Sequence, residues 1–323
     1  MKIVYMGTPD FAVPPLAALK EAGFDVALAV TKADRARDRG KKVQFCPVKQ
    51  KALELGIPVE SPKRVKGNEE ILEKLASIAP DFIVVAAYGK ILPKEILELP
   101  RYGCVNIHAS LLPAYRGAAP IHRAVIDGCE RTGVSLMHME EGMDTGAVYA
   151  QESVEIGGKT TADLHEELAE LGAKMIVEAL PKIADGSLAA VPQDESKATY
   201  APMVFKEEGV IDFSKTAEQI CCLVRGFNSW PTASTTFSGQ VMKVHSCRKG
   251  SSTAQLGPSE ASDPAEHSIL PGTVIKADKH GIEVACGGGS VLLTNIQMPG
   301  KKAMDVSAWL LGNRIEPGTV LGK

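Results

Sequence analysis

No stretch of about 18 uninterrupted apolar residues occurs in the sequence, so no membrane-spanning helix is expected. No charged-then-apolar leader precedes the first strand-like run at 2–6, so no secretory signal is expected. Cys-x-x-Cys spacing is missing too. The seven cysteines are an odd number, scattered, with Cys221 and Cys222 adjacent. Such a set fits neither a disulfide framework nor a zinc site, and it points to reduced thiols in a cytoplasm. One glycine, Gly7, follows the first strand where a dinucleotide fingerprint needs three, and no acidic residue ends the second strand at 26–31. NAD is therefore not expected. A phosphate-cradling Gly-x-x-x-x-Gly-Lys-Ser/Thr loop is absent, which removes one common route to nucleotide hydrolysis. Positive charge is not in excess. The net charge is −3, so the chain as a whole does not announce a nucleic-acid binder.

What is present reads as two globular domains. Apolar residues make up 45% of the 323 and charged residues 23%, an ordinary balance for a chain long enough to bury a large core. After the strand at 2–6, Pro14 and Pro15 sit at the start of a helix that Gly23 stops. Helical spacing recurs at 47–55 and at 68–79, where Ile71, Leu72, Leu75 and Ile78 share a face. The continuous apolar run 81–87 reads as a strand buried on both sides. Strands at 104–108, 133–139 and 147–154 and a long helix at 161–183 complete an α/β domain with a mostly parallel sheet. We place this domain at 1–189, an extended linker at 190–207 and a second domain at 208–323. The second domain shows a helix at 216–224, then short strands at 234–237, 240–246, 272–277, 281–285 and 290–296, and a short helix at 305–311. That pattern suggests a small β-barrel. Residues 249–268 hold few apolar side chains and read as a mobile surface insertion.

One stretch, 103–120, carries the chemistry. Asn106 and His108 stand two apart at the carboxyl end of a buried strand, so they share a face about 7 Å apart. Buried polar groups need partners, or a substrate to supply them. Ligands of open α/β sheets bind at such strand ends. Asp144, in the glycine-flanked turn 141–146, can orient an imidazole and take part in proton transfer. Taken singly, each has a bland reading, as a strand-end histidine or a turn aspartate bonded to its own backbone. Tyr88, Ile91, Leu92, Leu111 and Leu112 are apolar residues available to line a slot, or to serve as ordinary core. No cysteine, serine or lysine stands in the motif as a nucleophile with its base, so direct transfer is expected. A loop at 32–42 sets Lys32, Arg35, Arg37, Arg39, Lys41 and Lys42 against Asp34 and Asp38. Such a loop either neutralises phosphates or is merely solvated.

Asn106, His108, the Ser110-Leu111-Leu112-Pro113 turn and Asp144 in a Met-Asp-Thr-Gly turn resemble the formyltransferases that use 10-formyltetrahydrofolate. The opening Met6-Gly7-Thr8-Pro9-Asp10-Phe11 matches the branch of that family acting on methionyl-tRNA. So do Ala87 to Pro93, Phe227-Asn228-Ser229-Trp230-Pro231 and Gly300 to Met304, in the right order and nearly end to end. The resemblance implies a Rossmann-like formyltransferase domain followed by an OB-like, tRNA-binding barrel. It implies Asn106, His108 and Asp144 as catalytic residues. It also implies folate contacts from Ser110, Leu111, Leu112 and Pro113, with Tyr88, Ile91 and Leu92 beside them. The basic loop would approach tRNA through Arg37, Arg39, Lys41 and Lys42. Expected partners are 10-formyltetrahydrofolate as cosubstrate, with no metal and no NAD, and initiator methionyl-tRNA, in translation initiation by a cytoplasmic monomer. Three alternatives stay open: formylation of a small amine, hydrolysis of the formyl donor, and RNA binding without catalysis.

Overall fold

Five parallel strands form the frame that holds the site. The computed structural model describes residues 1–36, 43–252 and 269–322, which divide into two compact units. The first unit comprises 1–120, 131–155 and 163–203. Its elements begin with β1 (Lys2–Gly7), α1 (Val13–Glu21) and β2 (Asp25–Val30). A short hairpin pairs β3 (Arg35–Ala36) with β4 (Val43–Gln44). Then come α2 (Pro47–Glu54), β5 (Val59–Glu60), α3 (Glu69–Ile78), β6 (Phe82–Ala86), α4 (Lys94–Leu97) and β7 (Cys104–His108). The remainder is β8 (Arg116–Gly117), α5 (Pro120–Ile126) at the division, β9 (Arg131–His138), β10 (Val148–Glu155), α6 (Thr161–Ala184) and β11 (Tyr200–Ala201). The seven-stranded sheet runs β10-β9-β7-β6-β1-β2-β5. The strands from β5 to β7 are parallel, and β9 and β10 add an antiparallel edge. The chain leaves β1 toward β2 and β5, then returns to β6 on its other side, which is where such sheets open a crevice.

Local sequence accounts for these elements. Two prolines occupy the first turn of α1, where their missing N–H groups do no harm. Asn68 caps α3 by accepting from the Ile71 N–H at 3.3 Å. All five residues of β6, Phe-Ile-Val-Val-Ala, are buried, as a strand covered on both faces requires. Val4, Met6, Ile83, Val85 and Cys104 pack on one side with Ile71 and Leu75 of α3 and Ile96 and Leu97 of α4. Ile107 points to the opposite side. There Gly172 of α6 approaches so closely that a Cβ at 172 would lie 2.6 Å from the Ile107 Cγ2. Because side chains alternate along a strand, Cys104, Asn106 and His108 share the face that α6 does not cover.

The stretch expected as a linker, 190–207, is hydrogen-bonded into the first unit from Val191 to Ala201. Val191 bridges Val148, and β11 pairs in parallel with β8, Tyr200 opposite Arg116. The unit division falls after Met203.

The second unit comprises 121–130, 156–162 and 204–322 among the described residues. It contains α7 (Ala217–Gly226), an antiparallel sheet of β12 (Ala233–Phe237), β13 (Gln240–Lys249), β14 (Val274–Asp278), β15 (Gly281–Cys286) and β16 (Gly289–Gln297), and finally β17 (Met304–Asp305) and α8 (Val306–Trp309). The order is β12-β13-β16-β15-β14, with β17 on β16. A capping box starts α7: the Thr216 hydroxyl accepts from the Gln219 N–H, and the Gln219 carboxamide accepts from the Thr216 N–H. Ile220 and Val224 of this helix join Met242, Val244, Ile282, Val284, Leu293 and Trp309 in the core. Of the expected insertion 249–268, residues 253–268 lie outside the described residues.

Candidate active site

Asn106 and His108 are both largely buried, at 9% and 6% exposure of the whole residue. They are held by the register of β7, where Asn106 lies opposite Val85 and Met137, and His108 opposite Ser135. The two differ in what satisfies them. Among the described residues the Asn106 carboxamide has no hydrogen-bond partner. The His108 Nε2 lies 3.0 Å from the Tyr115 carbonyl, and its Nδ1 lies 3.7 Å from Asp144 Oδ2. A carbonyl only accepts, so Nε2 carries the proton. Nδ1 is left as the atom that gains or loses one, and it faces the carboxylate.

Backbone geometry at both flanks is unusual. Tyr115 has φ 59° and Asp144 φ 54°, in the left-handed region that few residues other than glycine adopt. Such positions persist only where surrounding contacts impose them. At Tyr115 the N–H donates to the Thr199 hydroxyl at 2.9 Å. At Asp144 the carboxylate accepts the Gly117 N–H at 2.8 Å. Gly146 follows because a Cβ there would collide with the His138 carbonyl.

Arg116 and Gln193 organise this corner, and neither was singled out from the sequence. Arg116 is fully buried. Its guanidinium donates to both Glu195 carboxylate oxygens, at 2.9 and 2.7 Å, and to Gln193 Oε1 at 3.1 and 2.8 Å. Glu195 raises the Arg116 pKa through this hydrogen bond, and Arg116 in turn holds the Glu195 carboxyl below the usual range. Gln193 then turns its Nε2 to the carbonyls of Asp144 and Gly146, at 2.8 and 2.7 Å. A chain of contacts thus runs from a buried cation to the backbone of the aspartate turn. We expect Gln193→Ala to destabilise the protein by about 1–2 kcal/mol, because it strips Arg116 of an acceptor. Loosening Asp144 should also lower turnover by about tenfold. Hydrogen exchange at 144–146 alongside kinetics checks both; unchanged exchange with lowered turnover would break the link between them.

The Ser110–Pro113 turn is fastened from below. The Ser110 hydroxyl donates to the Ala114 carbonyl at 2.6 Å. Ser135 donates to the Ser110 carbonyl and accepts from the Leu112 N–H, while Gln151 Nε2 donates to the Leu112 carbonyl. Leu112 is buried, and Leu111 and Pro113 are half-buried. Tyr88 and Leu92 pack in the core with α3 and α4, whereas Ile91 is 81% exposed. Burial pushes the Tyr88 hydroxyl up to about 12, and it has no partner among the described residues. Arg37, Arg39, Lys41 and Lys42 lie outside the described residues. Among the described residues no group of three or more His, Cys, Asp or Glu could hold a metal ion, and no helix is long and apolar enough to cross a membrane.

The chain is similar to known proteins along nearly its whole length. A family model described as "Formyl transferase" matches residues 1–180, and one described as "Formyl transferase, C-terminal domain" matches 203–314. The methionyl-tRNA formyltransferase of Lachnospira eligens is 42% identical over 324 residues, covering 100% of both chains. That of Acetivibrio thermocellus is 44% identical with the same coverage. Among solved structures, the sugar 3N-formyl transferase WlaRD superposes with a TM-score of 0.64 at 18% identity, over 94% of this chain and 99% of the other. The likeness to WlaRD extends to fold, and the full-length identity to the others narrows it: the chain belongs to the formyl transferase family, among the methionyl-tRNA formyltransferases.

Proposed function

We propose that the protein transfers the formyl group of 10-formyltetrahydrofolate to the amino group of methionine on initiator tRNA, by direct attack and without a covalent enzyme intermediate. One observation carries the chemical part: Asn106, a largely buried residue whose carboxamide has no partner among the described residues, stands beside a histidine–aspartate pair. Moving an acyl group between nitrogens builds negative charge on the formyl oxygen and a proton excess on the attacking nitrogen. Asn106 answers the first need as an uncharged donor on a largely buried residue, worth roughly 3–4 kcal/mol of the barrier. His108 answers the second. Its Nδ1 takes the proton, and Asp144, 3.7 Å away, stabilises the resulting imidazolium; as the bond from the formyl carbon to the folate nitrogen breaks, that nitrogen receives the proton back. The Tyr115 carbonyl keeps the ring in one orientation throughout. Among the described residues no cysteine, serine or lysine stands paired with a base at this corner, which favours direct transfer. The folate substrate would lie along the Ser110–Pro113 turn, with Leu111 and Pro113 half-open toward it and Ile91 free to close on the ring. Tyr88 and Leu92 support that slot from the core.

The polynucleotide part rests on the family and on the basic loop. Alanine at Arg39, Lys41 and Lys42 should weaken tRNA binding and flatten its salt dependence, by about one unit of slope or less for each lost phosphate contact. Folate affinity should not change, because a neutral amine nucleophile and an apolar ring slot need none of these charges. The experiment is a salt series of tRNA affinity for wild type and triple variant, with folate affinity as control. Parallel slopes would make the loop a solvated face and return weight to a small amine as acceptor.

A further inference from the structure

Helix α7 places Glu218, Cys221, Cys222 and Arg225 at spacings of three, four and seven residues, which is one stripe of a helix. Strand β13 meets this stripe with an irregularity. Its pairing with β16 shifts between Val244 and Cys247. An unbroken strand with Met242 and Val244 in the core would turn Cys247 outward. The shift resets the alternation, and Cys247 packs half-buried against the same core, as Cys221 does. Two pairs then face each other across one seam. Lys249 Nζ lies 2.8 Å from Glu218 Oε2, and Cys247 Sγ lies 3.6 Å from Cys221 Sγ. Both thiols are free.

We propose that Cys221 and Cys247 form a thiol–disulfide exchange site that takes low-molecular-weight disulfides and closes into a Cys221–Cys247 bond. Nothing in the formyl-transfer chemistry uses either residue, so the proposal stands apart from that reading. In the first step the Cys221 thiolate attacks one sulfur of the small disulfide. The old S–S bond breaks, a thiolate leaves and picks up a proton, and Cys221 carries a mixed disulfide. In the second, Cys247 gives up its proton and attacks Cys221 Sγ, expelling the other small thiol. Two protein thiols are oxidised and one disulfide is reduced to two thiols. The sulfurs must approach by about 1.5 Å to reach bonding distance, within reach of side-chain rotation.

The surroundings select this pair. The hydrogen bond donated by Cys247, and the charges of Arg225 and Lys249, hold the Cys221 thiol below its ordinary range and favour the attacking thiolate. Arg225 is itself anchored to the Gly157 carbonyl at 2.6 Å. The same hydrogen bond, with burial, pushes the Cys247 thiol up, which suits it to the second, resolving attack rather than the first. Burial acts likewise on two other core thiols. It pushes Cys104 up to about 12 and Cys286 to about 11. The test is to incubate the full chain with a large excess of oxidised glutathione, alkylate the remaining thiols and map the peptides. We expect the peptides holding Cys221 and Cys247 to be joined, lighter by two hydrogen atoms and separable by dithiothreitol, forming at least about tenfold faster than Cys104 reacts. The bond closes a loop between residues 26 apart and should raise the melting temperature by several degrees. In Cys247→Ser the glutathione should stay on Cys221. Free thiols at both positions in the wild-type chain, or a link through Cys222 instead, would overturn the proposal.

Discussion

Asn106→Ala is expected to lower turnover by about 10²–10³-fold while leaving the melting temperature unchanged. The two halves of this result come from one fact. The Asn106 amide has no partner among the described residues, so it contributes no hydrogen bond to the resting fold. Its return comes only when charge develops on a substrate oxygen within its reach. Removing it therefore deletes transition-state stabilisation and takes no hydrogen bond from the fold. Steady-state kinetics and thermal unfolding on the same preparation give the answer. Wild-type turnover in a folded Asn106→Ala protein would remove the residue from the mechanism. Loss of stability in parallel with activity would mean that Asn106 has a structural partner.

The second large effect concerns the His108–Asp144 pair. His108→Ala should cost about 10²-fold or more in turnover, and Asp144→Asn a comparable factor. Asparagine preserves what Asp144 does for the fold. Its side-chain carbonyl still accepts the Gly117 N–H, and asparagine tolerates the φ of 54°. What disappears is the charge facing His108 Nδ1. If the carboxylate works by stabilising the imidazolium, the double variant should be hardly slower than His108→Ala alone, a strongly non-additive result. Multiplying losses would separate the two residues. Should Asp144→Asn keep its turnover and lose folate affinity, the aspartate holds a ligand and our proton-transfer assignment fails.

The elements nearest the chemistry were the most legible in the sequence. The i, i+2 spacing of Asn106 and His108 follows from strand alternation alone, and the ring does face Asp144. Two things were harder to see. The link between Asp144 and Gln193 spans 49 residues and depends on the chain returning after α6. A segment poor in apolar periodicity carries no local sign that its amides will bond elsewhere, so it read as a connection. The role of Arg116 was concealed in the same way, since an arginine in a turn reads as exposed until its acceptors at Gln193 and Glu195 are brought to it. Leu92 and Tyr88 show the opposite limit. Apolar residues after a strand fit a ligand slot and a core equally well, and their packing with α3 and α4 is a placement that the wall of a slot shares.

The return of residues 191–201 bears on how the gene can be cut. The first family match ends at residue 180, an inviting place to terminate an expression fragment. A protein ended there would keep Asn106, His108 and Asp144 and yet lose Gln193, Glu195, Thr199 and the β11 strand. Arg116 would be left with a guanidinium stripped of its acceptors, and the Tyr115 and Asp144 turns without their outer fastenings. The smallest heritable unit of this active corner therefore extends to about residue 203, where the compact unit itself ends. Chimeras that exchange second domains should place their junction beyond that point, since a crossover within 181–203 would pair one parent's arginine with another parent's acceptors.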